Sequence, residues 1–198
     1  MKKFLIVFLL LFCFGCSERI VNVKKADGDS LTYLFFKDYN TQNYYVSFYD
    51  RNVSKNDNSL IIYARSGDKY YYEYKGENGQ KIIQKDGFKY TINEKVNNLF
   101  KEENELEDYS YGVLPDDLEK LKTMGYKSGK SKVFGVSYVF EEYKLKGAVS
   151  TYYFKGRNLI YVKTDSVSGS SLLKFDSMKS NFSKKIFDIN DNYSEISY

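Results

Sequence analysis

Lys81-Ile-Ile-Gln-Lys-Asp-Gly-Phe-Lys-Tyr-Thr91 holds two short runs of strand-forming residues on either side of Asp86-Gly87. Asp-Gly is favoured at the two central positions of a type I′ turn, because both positions require a positive φ. The flanking runs, Lys81–Lys85 and Phe88–Thr91, are therefore predicted to pair as an antiparallel hairpin. Such a hairpin is the local unit from which a larger antiparallel sheet is built.

Alternating side chains continue the strand pattern on both sides of this hairpin. In residues 44–49, Tyr44, Val46 and Phe48 alternate with Tyr45, Ser47 and Tyr49. The 21 tyrosines, 15 phenylalanines and single proline of the chain also fit a pleated sheet. Together these features predict a meander of antiparallel strands. Its other strands are predicted around residues 60–64 and 70–74 and at Lys132–Lys144, Ala148–Phe154, Asn158–Thr164, Ser170–Asp176 and Lys184–Phe187.

In the middle of the chain, apolar residues recur at the spacing of a helix instead of that of a strand. Val96, Leu99 and Phe100 are spaced as the apolar face of a helix, and Asn93 is a suitable N-cap. A second apolar stripe, Leu118, Leu121 and Met124, predicts another short helix.

Residues at both ends of the second stripe support that helix. Pro115 lies just ahead of it, acidic Asp116 and Asp117 suit its first turn, and Gly125 ends it. The sequence therefore predicts two short helices between two groups of strands.

These elements predict a mainly β fold of the α+β type. An antiparallel sheet of many strands must curl, and its concave face must be covered. The two central helices are the available cover. We expect a curved antiparallel sheet, or half-open β-barrel, covered by two short central helices within one domain at residues 31–198.

Three stretches resemble the lipoprotein-carrier (LolA/LolB-like) superfamily. They are Gly129-Lys-Ser-Lys-Val-Phe-Gly135, Ser150-Thr-Tyr-Tyr-Phe-Lys-Gly-Arg-Asn-Leu-Ile-Tyr-Val162 and Lys185-Ile-Phe-Asp-Ile-Asn-Asp-Asn-Tyr193. The order of strands, two central helices and further strands is similar as well. The resemblance implies a LolA-like half-barrel whose helix-capped cavity receives acyl chains or another apolar ligand.

The N-terminus predicts export and lipid anchoring. Lys2 and Lys3 precede an apolar run from Phe4 to Phe14, which is shorter than the roughly 20 residues of a membrane span. Gly15-Cys16 then resembles a lipobox. We expect residues 1–15 to be a signal peptide, Cys16 to be lipidated, and residues 16–30 to form a tether. Cleavage at an ordinary secretory site is the alternative.

Composition argues against several classes of chemistry. The chain has no histidine, and Cys13 and Cys16 are its two cysteines. Cys13 would leave with the signal peptide and Cys16 would be acylated, so no metal site, cofactor or catalytic residue is assigned. Lysine, carboxylate and tyrosine chemistry stay open, but we expect a non-enzymatic protein.

Charge also limits the partners. Without Lys2 and Lys3, the 30 basic residues become 28, against 26 acidic ones, and the two signs are interleaved. Nucleic acid binding is therefore not expected. The expected location is the cell envelope, with the chain lipid-anchored to a bacterial membrane.

Adjacent carboxylates occur at Asp116-Asp117 and at Glu141-Glu142. Neighbouring side chains point to opposite faces of a strand and diverge by about 100° on a helix. Neither pair is therefore predicted to form a catalytic couple. Asp116-Asp117 is assigned to the first turn of a helix, and Glu141-Glu142 to an exposed strand.

Two binding hypotheses remain. In the first, the two apolar stripes line a cavity for lipid or another apolar ligand; its residues are Val96, Leu99, Phe100, Leu118, Leu121 and Met124. In the second, the same residues fill the cavity, and tyrosines on the outer face contact an envelope protein or a glycan. The alternative for those tyrosines is that half are core residues and half form cross-strand pairs.

Overall fold

The computed structural model describes residues 21–24, 28–51, 59–76, 79–103, 107–110, 112–145, 147–190 and 192–196 of the chain. The described residues form a mainly β structure with two short α-helices, α1 (Leu31–Phe36) and α2 (Leu118–Thr123). Thirteen strands are present in the described residues. They are β1 (Val21–Lys24), β2 (Asn43–Asp50), β3 (Leu60–Ser66), β4 (Lys69–Lys75), β5 (Gln80–Lys85), β6 (Phe88–Asn93), β7 (Asn98–Glu103), β8 (Tyr126–Val133), β9 (Val136–Leu145), β10 (Ala148–Lys155), β11 (Asn158–Ser166), β12 (Gly169–Lys179) and β13 (Ser194–Ile196).

All thirteen strands belong to one large curved sheet that is not closed into a barrel. Its order is β1-β8-β9-β10-β11-β12-β2-β3-β4-β5-β6-β7-β13. Two antiparallel meanders, β2 to β7 and β8 to β12, are joined where β12 pairs with β2. Strand β1, at residues assigned to the tether by sequence, pairs with β8 at one edge.

The predicted Asp86-Gly87 hairpin is confirmed. Lys85 lies opposite Phe88, and the two central residues have φ values of 55° and 80°. These are the positive values that a type I′ turn requires.

The second predicted helix is confirmed, and the first is wrong. Helix α2 begins after Asp117, whose carboxylate accepts a 2.9 Å hydrogen bond from the backbone N–H of Lys120. Residues 93–100, in contrast, contain the end of β6, a turn and the start of β7. The Asn93 side chain accepts a hydrogen bond from the Lys95 N–H, 3.1 Å away. Asparagine makes this local hydrogen bond both in turns and at helix N-caps. Asn93 by itself therefore did not distinguish a turn from the start of a helix.

Helix α1 was not predicted. It begins after Ser30, whose hydroxyl accepts a hydrogen bond from the Tyr33 N–H at 3.1 Å. The predicted strand Lys132–Lys144 also needs correction, because a turn at Phe134-Gly135 divides it between β8 and β9.

The sheet carries one cluster of buried side chains on one face and two on the opposite face, where Val133, Phe140 and Tyr153 form the smaller one. We call the face that carries Val46, Phe48 and Tyr152 the inner face, and the opposite face the outer face. The inner cluster also includes Phe36 of α1 and Leu121 of α2. On the outer face, Lys184–Phe187 and its neighbours pack over Ile62, Ile83, Ile92 and Leu99. The prediction of a strand at Lys184–Phe187 is wrong, because this segment forms a 3₁₀ turn in which the Asp188 N–H donates a hydrogen bond to the Lys185 carbonyl at 3.0 Å.

Candidate functional site

The predicted signal peptide and lipidation site, residues 1–15 and Cys16, lie outside the described residues. The six predicted ligand residues do not form one site. Val96 is exposed in the turn between β6 and β7, and Leu99 belongs to the outer cluster. Phe100 follows Leu99 on the same strand, so it points to the opposite face. Leu118, Leu121 and Met124 do come together, all three packing in the inner cluster.

Aromatic rings fill much of the inner face. Phe36 contacts Tyr152 at a centroid distance of 5.8 Å, and neighbouring Phe35 contacts Phe175 at 5.4 Å. Phe175 in turn meets Phe48 at 5.8 Å. Edge-to-face contacts of this kind are typical of a packed core. The middle of the sheet is therefore filled by the chain's own side chains.

The tyrosine-rich strands do not present a continuous exposed surface. Tyr44 is buried on the inner face, and Tyr71 is buried on the outer face beneath Phe187. Tyr63 and Tyr72 form a cross-strand ring pair 5.5 Å apart. These four tyrosines thus contribute to the inner and outer clusters and to a cross-strand pair.

A groove lies at the β1 end of the sheet, where α1 does not fill the inner face. Its volume is about 470 Å³, within the range of small-molecule sites. Leu31, Tyr126 and Val139 give it apolar walls. Lys24 and Lys130 also line it, and both side chains are exposed. The remaining lining residues are Asn22, Asp29, Ser128, Gly129 and Glu141.

Glu141 fixes the position of α1 above this groove. Its carboxylate accepts hydrogen bonds from the Leu31 N–H at 2.9 Å and from the Thr32 N–H at 2.8 Å. The Thr32 hydroxyl donates a third, at 2.7 Å, and the Tyr143 hydroxyl a longer one, at 3.3 Å. Burial raises the pKa of Tyr143, and the nearby charge of Glu141 raises it further. Because these four donors surround the carboxylate, its role is to hold α1.

Sequence reasoning missed Glu141 and the groove. Glu141 was assigned to an exposed strand, yet it is only 4% exposed. Glu141 is two residues from Val139 and two from Tyr143 on β9, so all three side chains point to the inner face. The sequence alone shows this spacing. The three donors from α1 belong to residues more than 100 positions away, which a local pattern does not reveal.

A second cavity, of about 390 Å³, is lined mainly by polar and charged residues of β4, β5 and the turn after β6. Glu73 pairs with Lys75 at 3.5 Å, and Lys81 pairs with Glu94. Four charged side chains of this cavity therefore have partners within its wall, whereas the groove at β1 combines apolar walls with exposed lysines.

Among the described residues, no cluster of three or more histidine, cysteine, aspartate or glutamate side chains is suited to hold a metal ion. In the same part of the chain, no helix has the length and apolar character needed to cross a membrane.

Comparisons with known proteins do not identify a family. No protein-family profile and no curated protein matches the chain. Among solved structures, the chain is similar to an uncharacterised conserved protein from Thermus thermophilus, with 9% sequence identity and a TM-score of 0.46. The match covers 84% of this chain and 96% of that one.

Proposed function

We propose that the chain is a non-enzymatic lipoprotein of a bacterial cell envelope, anchored to the membrane through Cys16. In this proposal, the domain binds lipid or another apolar molecule on the inner face of its sheet. The site is the groove between β1, β8, β9 and α1, with the helices covering the rest of that face. This interpretation keeps the lipoprotein-carrier resemblance but moves the ligand away from the central helix stripe.

The groove is the observation that carries the proposal. Apolar walls at Leu31, Tyr126 and Val139 suit a hydrocarbon chain. Lys24 and Lys130 outnumber the one exposed carboxylate of the groove, Asp29, and are placed to attract an anionic head group beside it. The ligand class that combines both features is an anionic amphiphile, such as a phospholipid or a fatty acid.

The groove would also lie close to the membrane. Five residue steps separate Cys16 from Val21, the first residue of β1. A fully extended chain covers at most about 3.6 Å per residue, so this connection spans no more than about 18 Å. A lipid on Cys16 would therefore keep the β1 edge near the bilayer surface.

The packed aromatic interior favours a second candidate function. If the groove holds no ligand, the domain is an interaction protein that contacts an envelope protein or a glycan from outside. Aromatic ring contacts that fill the inner face, such as Phe36–Tyr152 and Phe48–Phe175, support this second function.

Native mass spectrometry of residues 17–198, with a total bacterial lipid extract offered, distinguishes the two candidates. We expect a discrete added mass on the wild-type protein and its loss in Val139→Asp, because a carboxylate on the groove wall is costly to bury against hydrocarbon.

Ser137→Asp is the matched control. Ser137 lies two residues earlier on the same strand and face, is exposed, and does not line the groove. This variant should keep the added mass. A wild-type protein that remains free of lipid would contradict the proposal and favour the interaction protein, provided that its circular dichroism spectrum shows a folded domain.

A further inference from the structure

The turn between β8 and β9 presents an aromatic ring to solvent. Phe134 and Gly135 have φ values of 49° and 79°, nearly those of the Asp86-Gly87 turn. Positive φ is unfavourable for a bulky residue, whereas Asp and Asn tolerate it. The Phe134 side chain is nevertheless 56% exposed. Its backbone strain is thus not compensated by burial in the protein core.

Other apolar side chains adjoin this ring. Val136, the first residue of β9, is 48% exposed. The Phe134 ring lies 6.1 Å from that of Tyr161, which lies 5.6 Å from Tyr138. These four residues form an apolar and aromatic surface at the end of the hairpin, and we call it the hairpin tip.

The hairpin is also basic. Between Tyr126 and Phe140 the sequence contains Lys127, Lys130 and Lys132 but no acidic residue. Lys127 pairs with Glu142, farther from the tip, at 3.0 Å. Lys130 and Lys132, nearer the tip, are exposed. Exposed aromatic and aliphatic residues flanked by lysines match the chemistry of an anionic membrane surface.

The register of β1 brings the chain toward this tip. Val21 lies opposite Gly129, and Lys24 lies opposite Tyr126, so β1 read backward runs in the direction of Phe134. Five residue steps separate Gly129 from Phe134, and five separate Val21 from Cys16. The connection to Cys16 is therefore long enough to reach the level of the tip.

We propose that the hairpin tip contacts the lipid bilayer, with Phe134 and Val136 at the acyl boundary and Lys130 and Lys132 near anionic head groups. The inference rests on the anchoring of Cys16 in the proposed function. It does not require a ligand in the groove, and Lys130 is the one residue that it shares with the groove lining. One lipid anchor and one surface contact together would orient the domain and hold the groove toward the membrane.

The absence of tryptophan from the chain allows a direct test. Full-length Phe134→Trp, processed in cells and reconstituted into vesicles with phosphatidylglycerol, carries one reporter at the tip. We expect its emission to shift to shorter wavelength and to be quenched by brominated phospholipids. Val167→Trp is the matched control.

Val167 is fully exposed in the turn between β11 and β12. Because β10 begins opposite the end of β9 and β11 runs back beside it, this turn lies at the opposite end of the sheet from Phe134. The tryptophan of the control variant should remain unquenched. Equal quenching of both variants would overturn the inference, and so would a lack of quenching in Phe134→Trp protein that floats with the vesicles.

Hydrogen exchange on the same vesicles tests the wild-type sequence without a reporter. We expect protection of residues 132–138 when vesicles are present, and its loss in Phe134→Asn. Asparagine suits the positive φ, so this variant should melt no earlier than the wild type. Flotation of both proteins reports the Cys16 anchor separately. Protection from hydrogen exchange that appears with membranes from the bacterial cell envelope, but not with lipid vesicles, would assign the tip to a protein partner and contradict the inference.

Discussion

Replacing Glu141 by alanine is expected to lower the free energy of unfolding by about 3–5 kcal/mol, since it leaves several buried donors without an acceptor. The backbone N–H groups of Leu31 and Thr32 and the Thr32 hydroxyl all donate to this carboxylate. Thr32 is completely buried, so its N–H and its hydroxyl would lose their acceptor inside the protein. Urea denaturation monitored by far-ultraviolet circular dichroism measures the change.

The neighbouring residue provides the control. Glu142 points to the other face of β9 and pairs with Lys127; the Lys127 side chain is 50% exposed and the Glu142 side chain 16%. A solvent-accessible ion pair contributes about 0–1 kcal/mol, so Glu142→Ala should shift the unfolding midpoint only slightly. If the two alanine variants lost the same stability, Glu141 would have no special role in holding α1.

The position of α1 also links this stability to the proposed groove. Leu31, the first residue of α1, forms one wall of the groove, and its N–H is held by Glu141. Weakening that hydrogen bond should therefore disturb the groove as well as the fold. The stability of the helix and the shape of the candidate site depend on the same carboxylate.

Local turn chemistry was the most informative part of the sequence. Asp86-Gly87 specified both the position and the type of its hairpin, because the dihedral requirement lies within two residues. Asn93 shows the limit of such signals. Its side chain bonds to a backbone N–H two residues ahead, which is equally consistent with a helix cap and with a turn.

Features that depend on distant residues were not predictable in the same way. In β7, neighbouring Leu99 and Phe100 must point to opposite faces of the sheet. Which face each side chain occupies depends on how β7 pairs with β6. The outer core exists because Phe187, far along the chain, packs over Ile83 and its neighbours. Likewise, the burial of Glu141 depends on α1, which precedes it by more than 100 residues.

Replacing Cys16 by serine is expected to abolish lipid attachment completely. A serine hydroxyl does not provide the thiol that the predicted lipobox requires. Each acyl methylene transferred to the membrane contributes about 0.8 kcal/mol, so a multiply acylated cysteine would be the dominant membrane anchor. Cells expressing the full-length chain can be fed an alkyne-bearing fatty acid, and the label on the purified protein can then be quantified.

Cys13→Ser is the control for this experiment, because Cys13 lies within the predicted signal peptide and should not carry the label. We expect full labelling of Cys13→Ser and none of Cys16→Ser. Label retained by Cys16→Ser would contradict the anchor.

If the hairpin-tip contact holds, protein that lacks the lipid should still associate weakly with anionic vesicles. Salt should release it, because screening weakens the attraction of Lys130 and Lys132 to the head groups. The lipid on Cys16 and the contact at Phe134 thus make separable contributions to membrane binding.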